Sequence, residues 1–74
     1  MHDTIQQAQG PTHPDVTVQL SGEDGNAHYV IGRVRRALRE AGHAEAAAEF
    51  ASAALRSESY DDLLQLAMRT VDVH

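Results

Sequence analysis

Apolar and polar side chains alternate between positions 15 and 20, where Thr17 and Gln19 separate Val16, Val18 and Leu20. That period of two puts the three apolar groups on one face of a short strand covered on one side. The turn-forming run Ser21-Gly22-Glu23-Asp24-Gly25-Asn26 follows, and beyond it the period changes. Ala27, Val30, Ile31, Val34, Leu38 and Ala41 recur three or four apart and form one helical stripe, while Arg33, Arg35, Arg36, Arg39 and Glu40 fill the opposite side. Asp24 or Asn26 is placed to accept the free N–H groups of the first turn. Gly42 ends the helix, because glycine takes the left-handed conformation of a C-cap at little cost.

A second helix is expected over 44–56. It is rich in alanine, with Phe50 and Leu55 as its large apolar groups, so its core face is thin. Ala47, Ala51 and Ala54 around Phe50 predict a close helix contact, with Gly32 as the facing position. A third helix starts at Ser59, whose hydroxyl caps it and whose first turn holds Asp61 and Asp62 at the positive end of the macrodipole. Tyr60, Leu63, Leu64, Ala67, Met68 and Val71 make its buried stripe. The closing run Thr70-Val71-Asp72-Val73-His74 alternates again and predicts a strand that pairs with the first, although 68–73 also reads as continuing helix. The expectation is a mostly helical α+β domain over 15–74, ordered strand, helix, helix, helix, strand, with a two-stranded ribbon formed by its two ends. Residues 1–14 are polar and interrupted by Gly10, Pro11 and Pro14, and they read as a disordered tail.

Composition narrows the function classes. A chain of 74 residues holds one domain, and without cysteine it has no disulfide, thiolate metal site or cysteine nucleophile. The formal charge of −5 opposes non-specific attraction to nucleic acid or an anionic membrane. No stretch approaches the length of a membrane span, and residues 1–9 lack the basic and apolar regions of a secretory signal, so a cytoplasmic location is expected. All 6 basic residues are arginine and alanine is abundant, a bias that suggests a GC-rich genome such as that of an actinobacterium or its phage.

Few groups are candidates for chemistry. The loop holding Asp24 and Gly25 lies where phosphate loops occur, but Glu23 and Asp24 repel an anion and no Gly-Lys-Ser/Thr ending is present. It also lacks the ligand spacing of a calcium loop, so a turn and cap explain it better. Arg33, Arg35, Arg36 and Arg39 cluster within one helix. A solvated face is the simpler reading, and a patch meeting an acidic protein partner is the functional one. Nucleic acid fits that patch less well, because no aromatic residues interleave for stacking. His2, His13, His28, His43 and His74 include no pair at the i, i+4 spacing that puts two imidazoles on one helical face, so no metal is expected. Asp61 and Asp62 are adjacent and point apart. Ser52, Ser57 and Ser59 have no histidine nearby in sequence, and no triad or cofactor is expected.

The segments Asp24-Gly25-Asn26-Ala27, Gly32-Arg33-Val34, Arg36-Ala37-Leu38-Arg39 and Ala41-Gly42, with Glu49-Phe50 and Tyr60-Asp61-Asp62-Leu63-Leu64, resemble a family of small phage, prophage and actinobacterial proteins. The resemblance spans roughly residues 16 to 73 and is strongest from Asp24 to Gly42. Where that family often has an aromatic after Asn-Ala and a histidine before Leu-Leu, this chain has His28 and Asp62. The resemblance implies these domain limits and a phage or mobile-element setting, and it attaches no activity. The functional expectation is a non-enzymatic interaction module that binds a protein through the arginine-bearing helix or an open strand edge, with a homodimer as one form. A weak nucleic-acid-binding or regulatory protein using the same helix is the alternative.

Overall fold

A computed structural model describes residues 10–20 and 26–74. The chain runs β1 (His13–Val18), α1 (Ala27–Glu40), α2 (Ala44–Ala54), α3 (Tyr60–Thr70) and β2 (Val71–Val73). This is the small, mostly helical α+β fold that the periodicities predict, with the strands at the two ends of the domain. Residues 1–9 of the expected tail, and Asp24 and Gly25 of the expected turn, lie outside the described residues.

The two strands pair in parallel. Short links of 3 and 5 residues join α1 to α2 and α2 to α3. A parallel pair needs a crossover between its strands, and the three helices between β1 and β2 supply it. The register matches His13 to Val71, Thr17 to Asp72 and Val18 to Val73, with an irregularity between His13 and Thr17. Pro14 accounts for that break, since it has no N–H to give to a ladder and is tolerated in a sheet only at an edge or bulge. β1 therefore begins at His13, two residues before the alternation suggests. Beyond the strands, Leu20 donates its backbone N–H to the His74 carbonyl, and His74 donates to Val18, both at 2.9 Å.

Each helix boundary has a local cause. The Asn26 side chain accepts the Tyr29 N–H at 2.9 Å and caps α1. At the other end Gly42 sits at φ 91°, its N–H donates to the Arg39 carbonyl and the His43 N–H donates to the Leu38 carbonyl at 2.8 Å. Those two bonds are the Schellman arrangement, which satisfies the last carbonyls of the helix. Ser59 caps α3 through the Asp62 N–H at 3.1 Å. α2 ends at Ala54, two residues short of expectation, with Leu55 as its C-cap. α3 stops at Thr70, because Val71 is extended, fully buried and paired with His13. Among the described helices, none is long and apolar enough to cross a membrane.

The core joins one face of every element: Val16, Val18 and Leu20, then Val30, Val34 and Leu38, then Ala47, Phe50 and Ala54, then Leu63, Ala67 and Val71. Leu38, Val30, Val34 and Val71 are its largest fully buried side chains. Burying one such side chain contributes about 1.5–3 kcal/mol, so these four positions dominate the stability of so small a domain.

Five packing expectations need correction, two of them at the ends of the α1 stripe, where Ala27 and Ala41 are exposed. Met68 is 53 % exposed, while Leu66 packs against the core. The face of α3 is centred on Leu63 and Ala67, from which Met68 is turned by roughly 140° from Leu63 but Leu66 by only about 60°. Leu55 is 78 % exposed, because α2 has ended before it. Gly32 is not a point of close helix approach: a Cβ built there would meet nothing within 4 Å. Ala47 and Ala54 are buried as expected, and Ala51 is half-buried.

Candidate functional site

The four arginines of α1 are all exposed, yet they are not equivalent. Arg33 reaches the Gln19 carbonyl at 3.3 Å and lies over the Tyr29 ring at 5.5 Å, so it ties α1 to the end of β1. Arg36 pairs with Glu40 at 3.1 Å, an i,i+4 pair in water. Both partners of that pair are largely solvated, which limits its worth to about 0.3–0.5 kcal/mol. Arg35 and Arg39 have no acidic partner among the described residues.

These two residues are one helical turn apart and border a groove between α1 and α2. Its floor is Ala44, Ala47, Ala48 and Ala51, and its volume is about 470 Å³. A second depression of about 240 Å³ continues along the same helix pair past Arg35 and Ala51 to His28, Ile31, Gly32 and Leu55. Small residues create both spaces: alanine on α2 and glycine at position 32 leave the inter-helix surface unfilled. The result is an apolar trough with two unneutralised guanidinium groups on its wall and the exposed Leu55 at one end.

A second constellation forms at the edge of the ribbon. His13 and Asp15 are two apart on β1 and so share a face. His43 joins them from the α1–α2 turn, where the Schellman arrangement fixes its backbone. The His13 and His43 rings have centroids 4.5 Å apart, tilted by 38°. His43 Nε2 lies 3.3 Å from Asp15 Oδ2. The hydrogen bond from His43 holds the Asp15 carboxyl below its ordinary value, with a smaller contribution from backbone hydrogen bonding. No helical histidine pair marks this grouping, because its two histidines stand 30 positions apart and lie on different elements. A His-x-Asp at strand spacing was the legible half, hidden by starting the strand at Asp15.

The other candidates are accounted for locally. His2 lies outside the described residues, His28 lines the second depression, and His74 Nε2 lies 3.1 Å from Asp72 Oδ2. Asp61 accepts from Gln65 at 2.9 Å, and Asp62 gives its N–H to Ser59. Ser52 accepts from Arg56 at 3.5 Å. Comparison with protein-family models, with curated proteins and with solved structures finds no match to this chain.

Proposed function

We propose that this protein is a non-enzymatic interaction module that seats an acidic, amphipathic segment of another protein in the trough between α1 and α2. The observation that supports the reading is the pairing of Arg35 and Arg39, which lack acidic partners among the described residues, with an alanine floor beside them. Apolar side chains of the segment cover the alanines and Leu55, and its carboxylates meet the guanidinium forks. Arginine suits this role because its planar donors hold a carboxylate at two points. The overall charge of −5 makes the local positive wall a device for orientation, since charge complementarity sets approach and register more than raw affinity. A phage or mobile-element setting belongs to the same proposal.

The test is capture from the host extract by the intact protein and by an Arg35→Glu, Arg39→Glu double variant, both verified as folded by circular dichroism. A protein retained by the first and lost by the second, and regained when acidic residues in its bound segment are changed to arginine, supports the reading. Identical capture by both forms overturns it. A DNA or RNA probe that binds the intact protein at 50 mM salt and not the double variant would move the same surface to the nucleic-acid reading.

A further inference from the structure

The grouping of His13, Asp15 and His43 is a second site, independent of the trough, and we propose that it binds a divalent first-row transition ion of the zinc type. One nitrogen from each histidine and one carboxylate oxygen of Asp15 lie within 4.8 Å of one another. Two imidazoles and a carboxylate are a ligand set that zinc accepts, at bond lengths of about 2.0–2.1 Å to nitrogen and 2.0–2.2 Å to oxygen. Ligands on a tetrahedron of that size stand about 3.4 Å apart. The Asp15 and His43 atoms are already 3.3 Å apart, the length of one such edge, in a hydrogen bond whose proton a bound ion would displace. The remaining ligand closes in by at most about 1.4 Å, within reach of a side-chain rotation at a partly exposed histidine.

The backbone at the two histidines is fixed for reasons unrelated to an ion. His13 is held by its pairing with Val71, and His43 by the N–H bond to Leu38 beside the left-handed Gly42. The ion therefore meets two histidines whose backbone is already ordered by the fold, and the remaining cost is that of ordering side chains, the exposed Asp15 above all. Calcium and magnesium do not suit the site, as they require six or more oxygen ligands or near-complete hydration, whereas imidazole nitrogen favours zinc, nickel and copper. With three protein ligands the fourth position falls to water or to a donor from a bound partner. Coordination would clip the start of β1 to the α1–α2 turn, two parts of the domain joined there by the contact of the His13 and His43 rings and an exposed hydrogen bond.

Titration of the full chain with zinc chloride, followed by calorimetry and by the ring resonances of all five histidines, tests this directly. We expect one ion per chain, movement of the His13 and His43 resonances together, and a rise in Tm with zinc concentration. Loss of an outer partner alone commonly weakens metal sites 10–100-fold, so His13→Asn, Asp15→Asn and His43→Asn should each lower affinity by at least about tenfold. A triple change of His2, His28 and His74 to Asn should leave it unaltered. Binding that survives the three site variants, zinc-induced shifts confined to His2, His28 or His74, or no binding at all overturns the proposal. The resonance shifts are read on the unaltered protein, so the result stands even where a variant folds poorly.

Discussion

The backbone N–H of Thr12 donates to the carbonyl of Arg69 at 2.9 Å, and the Thr12 hydroxyl reaches the same oxygen at 3.3 Å. The fold thus recruits residues on the N-terminal side of the alternating run. Thr12 binds the last turn of α3, and the next residue, His13, pairs with Val71 where β2 begins.

A chain starting at Asp15 loses the two bonds of Thr12 and the pairing of His13. At about 0.5–1.5 kcal/mol for each net hydrogen bond, urea unfolding should show a loss of roughly 1–2 kcal/mol relative to a chain starting at Gly10. Equal midpoints for the two chains would show that the Thr12 contact adds nothing to stability.

Gly32 lies inside α1 with open space where a side chain would go. Alanine in a helix interior is favoured over glycine by about 0.8–1 kcal/mol, and no clash offsets it here. Gly32→Ala should raise Tm by about 4–8 °C in a domain of this size. A fall in Tm would mean that α1 and α2 approach more closely at position 32 than the open depression allows.

Asp15 links stability to acid pH. Its folded carboxyl is held below the ordinary value of 3.8, chiefly by His43. A lowered folded value favours the native state once the unfolded carboxyl is ionised, so this contribution is complete above 3.8 and disappears as pH falls through the folded value. Asp15→Asn should therefore destabilise the domain near neutral pH and make progressively less difference as acidification protonates the folded carboxyl. Carbon NMR of the Asp15 carboxyl in His43→Asn should show its midpoint moving up towards 3.8, and an unmoved midpoint would remove His43 as the cause.

Local chemistry made the limits and the central stripe of α1 legible in the sequence, though Ala27 and Ala41 of that stripe are exposed and Tyr29 and Ala37 outside it pack on the core. Its apolar period, the Asn26 cap and the Gly42 terminator all act within a few residues, and Val30, Val34 and Leu38 are buried as the stripe predicts. The third helix was readable in part, since Ser59 marks its start but a stripe drawn from hydrophobicity alone admits Met68 and omits Leu66. Pro14 concealed the true start of β1, because proline is a poor strand residue until a bulge accommodates it. The direction of strand pairing is a property of how three helices stack and has no local signal. For the site, four arginines were visible as a cluster, but which of them carry partners depends on Gln19, Tyr29 and Glu40 in space. The meeting of His13 and Asp15 with His43 depends on the whole fold, and only the two-residue spacing of His13 and Asp15 is visible in a short window.

The parallel ribbon also sets an order of events. Val18 and Val73 become neighbours only after everything between them has collapsed, because bringing distant segments together costs loop entropy before any contact repays it. Helices built from neighbouring residues condense early; the ribbon is a late latch. The latch is short on one side, but it is anchored by the fully buried Val71, so opening it would cost core burial as well as ladder bonds. A form in which β2 is released would leave the edge of β1 unpaired, and that edge can then pair with a second chain.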